Sequence, residues 1–272
     1  MIWFDQPSAK GPGGEFDLSD RGLLLADGVF TTALVVNGKV AFRGQHITRL
    51  MRDSGALGLA VERERIEAVF NEKTIDTDQA ALRVTLTRGA GERGLFPVSN
   101  APPTIIQRVT YMDPVQMASP KRIMVSDIRR NESSPTSRHK TLSYIDNVLA
   151  LKHAGISGFD DCLFLNTQDY ITCTSAANIL AIFGNEICAP PIDDGVLPGI
   201  TTDFLMTVAS EVGLTGSFKS MTLSDLQSAD EVFLANSLRG VVPVAAIADR
   251  SFATKRASEL FDLWRAAVGL VR

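Results

Sequence analysis

Cysteine is scarce, with three residues in 272, and the placement of those three excludes more than their number does. Cys162, Cys173 and Cys188 show no CxxC spacing, and an odd count indicates neither a zinc site nor a disulfide framework. The redox context reads as reducing. Excess charge of one sign is also lacking. A formal net charge of -4 and a pI near 5.5 leave no basic footprint for nucleic acid, whose binding needs Lys and Arg clustered on one face. No run approaches the ~18 to 20 apolar residues of a membrane span. The start Met1-Ile-Trp-Phe-Asp-Gln-Pro7 has no basic segment followed by an apolar one, and internal repeats and low-complexity tracts are missing too. The expectation is a cytoplasmic protein that binds neither nucleic acid nor membrane, whose partners are a small molecule or copies of itself.

What remains is globular composition, 45% hydrophobic and 21% charged, long enough for two modest cores or one large one. The first half alternates strand and helix signals. Gly28 to Val36 is β-branched and aromatic, His46 to Leu59 has helical apolar spacing, and Ala81 to Thr87 and Thr104 to Tyr111 read as strands. Two prolines in the stretch from Met112 to Pro120 interrupt both periodicities. The domain connection is placed there, with an N-terminal domain over 1–112, a connection over 113–121 and a C-terminal domain over 122–272.

Past the connection, apolar positions 145, 148, 149 and 151 predict an amphipathic helix, and 161–190 reads as short strands of an antiparallel sheet, separated by turns. A helix opening after Pro198-Gly199 and a last one over 253–268 complete the pattern. Gly89-Ala-Gly91-Glu-Arg-Gly94 fits the letters of the dinucleotide fingerprint but not its context. That fingerprint needs a helix at the third glycine, and here Leu95-Phe-Pro97 follows. The bland reading is a glycine loop; the sharper one has Arg88 and Arg93 presented from it toward an anionic substrate.

Four features carry candidate chemistry. Val196-Leu-Pro198-Gly199-Ile200-Thr201-Thr202 leads into an apolar-periodic helix, whose free amides and positive dipole end suit a phosphate, although Gly199 and Thr201 equally suit a simple turn and cap. Ser237, after the strand Glu231 to Ala235, places a hydroxyl at a strand end, fit for a phosphate oxygen or for a turn. Arg49 offers a fork that pairs bidentately with phosphate, unless it is an ordinary solvated arginine. Lys140 is an ordinary surface lysine unless its amine can lose its proton and reach a carbonyl, which a desolvated site beside a cationic cofactor arranges.

Read together, these segments resemble the fold-type IV pyridoxal-phosphate enzymes, the family of branched-chain and D-amino-acid aminotransferases and aminodeoxychorismate lyase. The resemblance runs over nearly the whole chain. It is carried by Asp20 to Phe30, His46-Ile-Thr-Arg49-Leu50, Arg88 to Gly94, Lys140 to Ala150, Ala176-Ala-Asn178-Ile179, Leu197 to Thr201 and Pro243-Val244. It implies a two-domain α/β (α+β) architecture with pyridoxal phosphate in the interdomain cleft, and a homodimer. Lys140 would form the Schiff base and shuttle the substrate's α-proton. Arg49, Ile200, Thr201 and Ser237 would bind the phosphate, and Tyr144 would face the phenolic oxygen. Arg93 and Arg138 are the expected substrate contacts.

Within the family, Phe30-Thr31-Thr32 and the Arg-Gly-x-Gly-x-Arg-Gly loop look more like the lyase that splits aminodeoxychorismate into pyruvate and 4-aminobenzoate. Tyr144 looks more like the aminotransferases, which act on branched-chain or D-amino acids. One position departs from the family. Five residues before Asn178, where a glutamate usually keeps a proton on the pyridine nitrogen, this chain has Cys173. A neutral thiol is only a weak acceptor there, so the substitution is expected to slow elimination and transamination alike. A third reading, a cofactor-binding but poorly catalytic homologue, follows from the same residue.

Overall fold

A computed structural model describes residues 2–5, 16–71, 77–97 and 102–270. The chain groups into two compact units. The first comprises 1–114 together with His139–Ser143, and the second comprises Val115–Arg138 and 144–272.

In the first unit the elements run β1 (Ile2–Asp5), α1 (Arg21–Leu25), β2 (Gly28–Val36), β3 (Lys39–Val40), α2 (Arg43–Ala56), α3 (Arg63–Val69), β4 (Gln79–Thr87) and β5 (Thr104–Tyr111). Its sheet, in the order β1-β5-β4-β2-β3, is antiparallel throughout. β2 alternates its side chains between two faces. Val29, Ala33 and Val35 join Ile47 and Leu50 of α2 in the core. Thr31 therefore sits in an apolar row that faces α2, and Phe30 on the opposite face. The sequence placed the helix at His46; it begins three residues earlier, at Arg43.

β3 pairs with β2 only at Val35 and Val36, which leaves the edge of β2 open from Gly28 onward. The segment His139–Ser143 occupies that edge. Phe30 N donates to Lys140 O at 2.8 Å, Leu142 N donates to Gly28 O at 3.0 Å, and Thr141 bridges antiparallel to Val29. Covering an edge satisfies main-chain groups that an exposed strand leaves unpaired. Here it also fixes where Lys140 stands.

The second unit contains β6 (Lys121–Val125), α4 (Pro135–Arg138), α5 (Ile145–Ile156), β7 (Asp161–Leu165), β8 (Ile171–Thr174), β9 (Asn178–Phe183), β10 (Glu186–Ala189) and α6 (Ile200–Val208). It continues with β11 (Thr215–Phe218), α7 (Leu223–Gln227), β12 (Glu231–Asn236), β13 (Gly240–Ile247), β14 (Arg250–Ser251) and α8 (Lys255–Ala267). The strands run β11-β10-β9-β12-β13-β6-β7-β8, with β14 added to β13. β8 also pairs with β9 at Cys173 and Asn178, which closes six of the strands into a ring. The turns expected between β7 and β8 and between β9 and β10 are there, with Asp169 and Gly184 at positive φ.

The helix expected around Ser143 to Ala154 is present, but it packs by a different face from the one its apolar spacing suggested. Asn147, Ala150 and Ala154 are the buried residues of α5, and Ile145, Val148, Leu149 and Leu151 are exposed. Small side chains let the helix lie close to the sheet, where Ala150 and Ala154 meet Cys162, Phe164 and Cys173. The mixed α and β architecture is as expected. Among the described residues no helix is long and apolar enough to cross a membrane.

Candidate functional site

In the first unit a polar cluster is built on one face of α2. His46, Arg49 and Asp53 are three and four residues apart, the spacing of neighbours on one helix face, and all are buried. Arg49 Nη2 donates to Thr31 Oγ1 at 2.7 Å, and the same hydroxyl lies 2.7 Å from His46 Nδ1. Since Thr31 accepts from Arg49, its own proton is available to His46. Burial, then the charges of Arg49 and Lys140, push His46 well below the ordinary histidine range and keep the imidazole neutral. His46 Nε2 has no hydrogen-bond partner among the described residues.

One turn on, the carboxylate of Asp53 is 1% exposed. Its Oδ1 accepts from Arg52 Nη2 at 2.7 Å and lies 2.9 Å from His139 Nδ1, and its Oδ2 accepts from Lys140 N at 3.0 Å. The Lys140 side chain runs to the other face of β2, where Nζ stands 4.5 Å from the centroid of the Phe30 ring. Arg83 Cζ stands 3.6 Å from the same centroid. Arg49 belongs to this buried cluster, and half-buried Lys140 joins it through its amide, which donates to Asp53. Thr31, His46, Asp53 and His139 join them, and the sequence reading had given these four no site role. The signal available was the polar spacing 46, 49 and 53 on a helix read only for its apolar positions.

Arg88 is not presented to a ligand. Its guanidinium pairs with Asp27 at 2.7 Å and donates to the carbonyls of Leu57 and Gly58. Burial raises the Asp27 pKa, but hydrogen bonds from Arg88 and Arg21 and their charges outweigh it and hold the carboxyl below its usual range. Arg21 in turn donates to the carbonyls of Gly94 and Leu95, so this arginine pair ties the glycine loop into the fold. Among the described residues, 91–97 hold no helix, in agreement with rejection of the dinucleotide fingerprint. Arg93 is exposed on it.

In the second unit the start of α6 is a seat without a side-chain cap. Gly199 is the N-cap residue, and the first amides of the helix lack intrahelical partners. Thr201 Oγ1 and Thr202 Oγ1 are buried with no hydrogen-bond partner among the described residues. The approach is held by Asn178, whose Nδ2 donates to Leu197 O at 2.9 Å. A Cβ at residue 199 would collide with the Asn178 side chain, so glycine is required there for space and not for conformation. Ser237 is half-buried in the turn after β12, which the Asn236 Oδ1 fastens by accepting from the amides of Leu238 and Arg239.

Cys173 lies on β8 within the apolar cluster with Cys162 and Phe164. Burial, with the charge of Asp161 and the neighbouring Cys173, raises the Cys162 thiol to about 12, so it stays protonated. Asn147 joins α5 to the end of β8 through Ser175 O at 2.7 Å and accepts from Arg130 Nη1 at 3.3 Å. Tyr144 is half-buried immediately before α5, and Arg138 Nη2 is engaged with Glu132 O at 2.9 Å.

Taken by itself, the first unit holds an anchored lysine and a buried guanidinium, and the second, taken by itself, holds an uncapped helix start with two buried hydroxyls, group types that react with an aldehyde or bind a phosphate. Residues 28–247 match the family model described as amino-transferase class IV. The protein named "Putative branched-chain-amino-acid aminotransferase" from Methanocaldococcus jannaschii is 29% identical over 248 residues, 89% of this chain and 85% of its own length. The aminodeoxychorismate lyase of Bacillus subtilis (strain 168) is 25% identical over 242 residues, 87% and 83% of the two chains. The solved structure of 4-amino-4-deoxychorismate lyase from Pseudomonas aeruginosa has a TM-score of 0.85, covering 98% of each chain. At 24% identity, that last likeness is one of fold.

Proposed function

This chain belongs to the amino-transferase class IV family, and from that premise we propose that it acts as an aminodeoxychorismate lyase in which Lys140 is the covalent and proton-transferring residue. The family comprises aminotransferases and lyases of fold type IV that depend on pyridoxal phosphate, and this chain is one of those enzymes. When bound, the cofactor supplies an aldehyde that condenses with a lysine amine and a ring that takes up the electron pair left by a departing α-proton.

The residues fit that group at two of its poles. The buried, unpartnered hydroxyls of Thr201 and Thr202 and the uncapped start of α6 suit a phosphate, and we assign Arg49, Ile200, Thr201 and Ser237 to hold it. Lys140 Nζ is the atom that would bind the aldehyde, and its free amine would take the substrate's α-proton and return a proton as pyruvate leaves. Tyr144 is assigned to the phenolic oxygen, and Arg93 and Arg138 to the substrate carboxylates. At the third pole the fit is poorer. Cys173 brings a thiol where the family usually has a carboxylate, and it packs with Phe164, Ala150 and Ala154. With Cys173 there, a bound ring would draw electrons less strongly, and α-proton removal by Lys140 would be slower for any substrate, which does not choose between lyase and aminotransferase.

The observation that carries this reading is the fixed placement of Lys140 at the open edge of β2, in the same unit as the buried Arg49. Resemblance at Phe30-Thr31-Thr32 and to the Bacillus lyase favours elimination. The second reading, an aminotransferase, is favoured by Tyr144 and by the Methanocaldococcus relative. Incubation with aminodeoxychorismate decides between them. Release of 4-aminobenzoate supports the lyase; no release, with an amino donor converting the bound cofactor to its amine form, supports the aminotransferase. We further propose a homodimer, supported by the exposed apolar stripe of Ile145, Val148, Leu149 and Ile156 on α5; light scattering giving the monomer mass would exclude it.

A further inference from the structure

We propose that Asp53 is the positioning residue of the site, holding the main chain of Lys140 in place from the same helix that carries Arg49. This inference rests on the reading of Lys140 given above.

Both main-chain polar groups of Lys140 are engaged, and by different elements. Its carbonyl accepts from Phe30 N at 2.8 Å, and its amide donates to Asp53 Oδ2 at 3.0 Å. Lys140 is thus anchored at its peptide groups on both sides, so the amine's reach is set by side-chain torsions and not by movement of the segment. The other carboxylate oxygen is shared between Arg52, whose Nε and Nη2 lie at 2.9 and 2.7 Å, and His139 Nδ1 at 2.9 Å. Arg52 is 42% exposed, while the Asp53 side chain is 1% exposed. A buried carboxylate needs several donors to be tolerated, and two of those present come from the segment that bears the lysine.

The placement on α2 adds a second function. Arg49 and Asp53 are four residues apart, on neighbouring turns of one rigid helix. The helix therefore fixes the distance between the guanidinium assigned to the phosphate and the peptide of the residue assigned to the aldehyde. Misplacement of a reacting group by about 1 Å costs on the order of a hundredfold in rate, so a ruler of this kind bears directly on the chemistry. A carboxylate with only a packing role would have no reason to spend one oxygen on the Lys140 amide.

The test uses the full chain as the unaltered protein and as Asp53→Ala, Asp53→Asn and His139→Ala. Two quantities are read: hydrogen exchange of the Lys140 amide without cofactor, and the rate at which added pyridoxal phosphate becomes fixable to Lys140 by borohydride. Loss of a hydrogen bond to a charged group corresponds to faster amide exchange by about tenfold to a hundredfold in Asp53→Ala. The fixation rate should fall by at least about tenfold, as expected for a displaced nucleophile. Asp53→Asn keeps an acceptor for the amide and should recover most of both quantities, which also covers the case in which Asp53→Ala does not fold. His139→Ala leaves the Lys140 contact intact and should exchange like the unaltered protein.

Equal exchange and equal fixation rates in the unaltered protein and the folded Asp53 variants would overturn the positioning role alone. Failure of Asp53→Asn to recover either quantity would also count against it, because the acceptor would then not be what matters. If borohydride fixes no cofactor at Lys140 even in the unaltered protein, the reading of Lys140 falls and the positioning role falls with it.

Discussion

Thr31→Val is the most informative single change in the buried cluster of the first unit, because it keeps shape and removes one oxygen. That oxygen accepts from Arg49 Nη2 at 2.7 Å and lies 2.7 Å from His46 Nδ1, and Thr31 is fully buried. The bond from a guanidinium counts among the stronger kind, about 1.5–3 kcal/mol, and the bond to the neutral imidazole adds about 1 kcal/mol. Valine suits a strand at least as well as threonine, so no backbone penalty obscures the reading. The expected loss is about 2–4 kcal/mol, which corresponds to a fall in melting temperature of roughly 10 °C for a unit of this size. Thr31→Ser is the control: it keeps the hydroxyl and gives up one methyl, at a cost of about 1 kcal/mol. The assay is thermal unfolding without cofactor, followed by titration with pyridoxal phosphate. Thr31→Val should be the less stable of the two and the weaker binder, since Arg49 loses its guide. Equal stability of the two variants would refute the claim that the hydroxyl organises Arg49 and His46.

Three further outcomes follow from named contacts. His46 is held neutral in the fold, so its folded pKa lies below its unfolded one; the stability it protects is present above pH ~6.5 and lost as pH falls, with a slope of up to ~1.4 kcal/mol per pH unit. Urea unfolding at pH 7.5 and 5.5 should therefore show a smaller acid loss in His46→Gln than in the unaltered protein, and identical losses would reject the assignment. Gly199→Ala brings a Cβ to 2.9 Å from Asn178 Cγ and 3.0 Å from Thr202 Oγ1 at an ordinary φ of -88°. It should cost about 1–3 kcal/mol by overpacking and weaken inorganic phosphate and cofactor binding together, read by calorimetry. Cys173→Glu places a carboxylate among Cys162, Phe164, Ala150 and Ala154. Without cofactor it should melt lower by an amount equivalent to about 1–3 kcal/mol, and with cofactor it should turn over faster; slower turnover in a folded variant would argue against a deficit at the ring nitrogen.

Strands and helices were legible because β2 is rich in β-branched and aromatic residues, β4 keeps a period of two over Gln79 to Val84 and α6 a period near 3.6. Facing was less legible. The apolar positions of α5 mark a stripe but not the direction in which it points, and it is the small residues Ala150 and Ala154 that meet the sheet. Arg88 looked available because its partner Asp27 is 61 residues away in the chain and no local spacing reveals such a pair. Asp53 was passed over for the related reason that a carboxylate on an amphipathic helix reads as solvated until the segment that buries it, 86 and 87 residues later, is known. Lys140 and Arg49, by contrast, drew attention through motifs, since their neighbours in sequence resemble the family's signature, and their roles stand as proposals.

The central claim is that Lys140 is the residue to which the cofactor is joined, and borohydride reduction of the protein with added pyridoxal phosphate, followed by peptide mapping, tests it most directly. The account predicts a single fixed adduct on the peptide bearing Lys140 and none in Lys140→Ala. An adduct on another lysine, or fixation that survives in Lys140→Ala to the same extent, would contradict it.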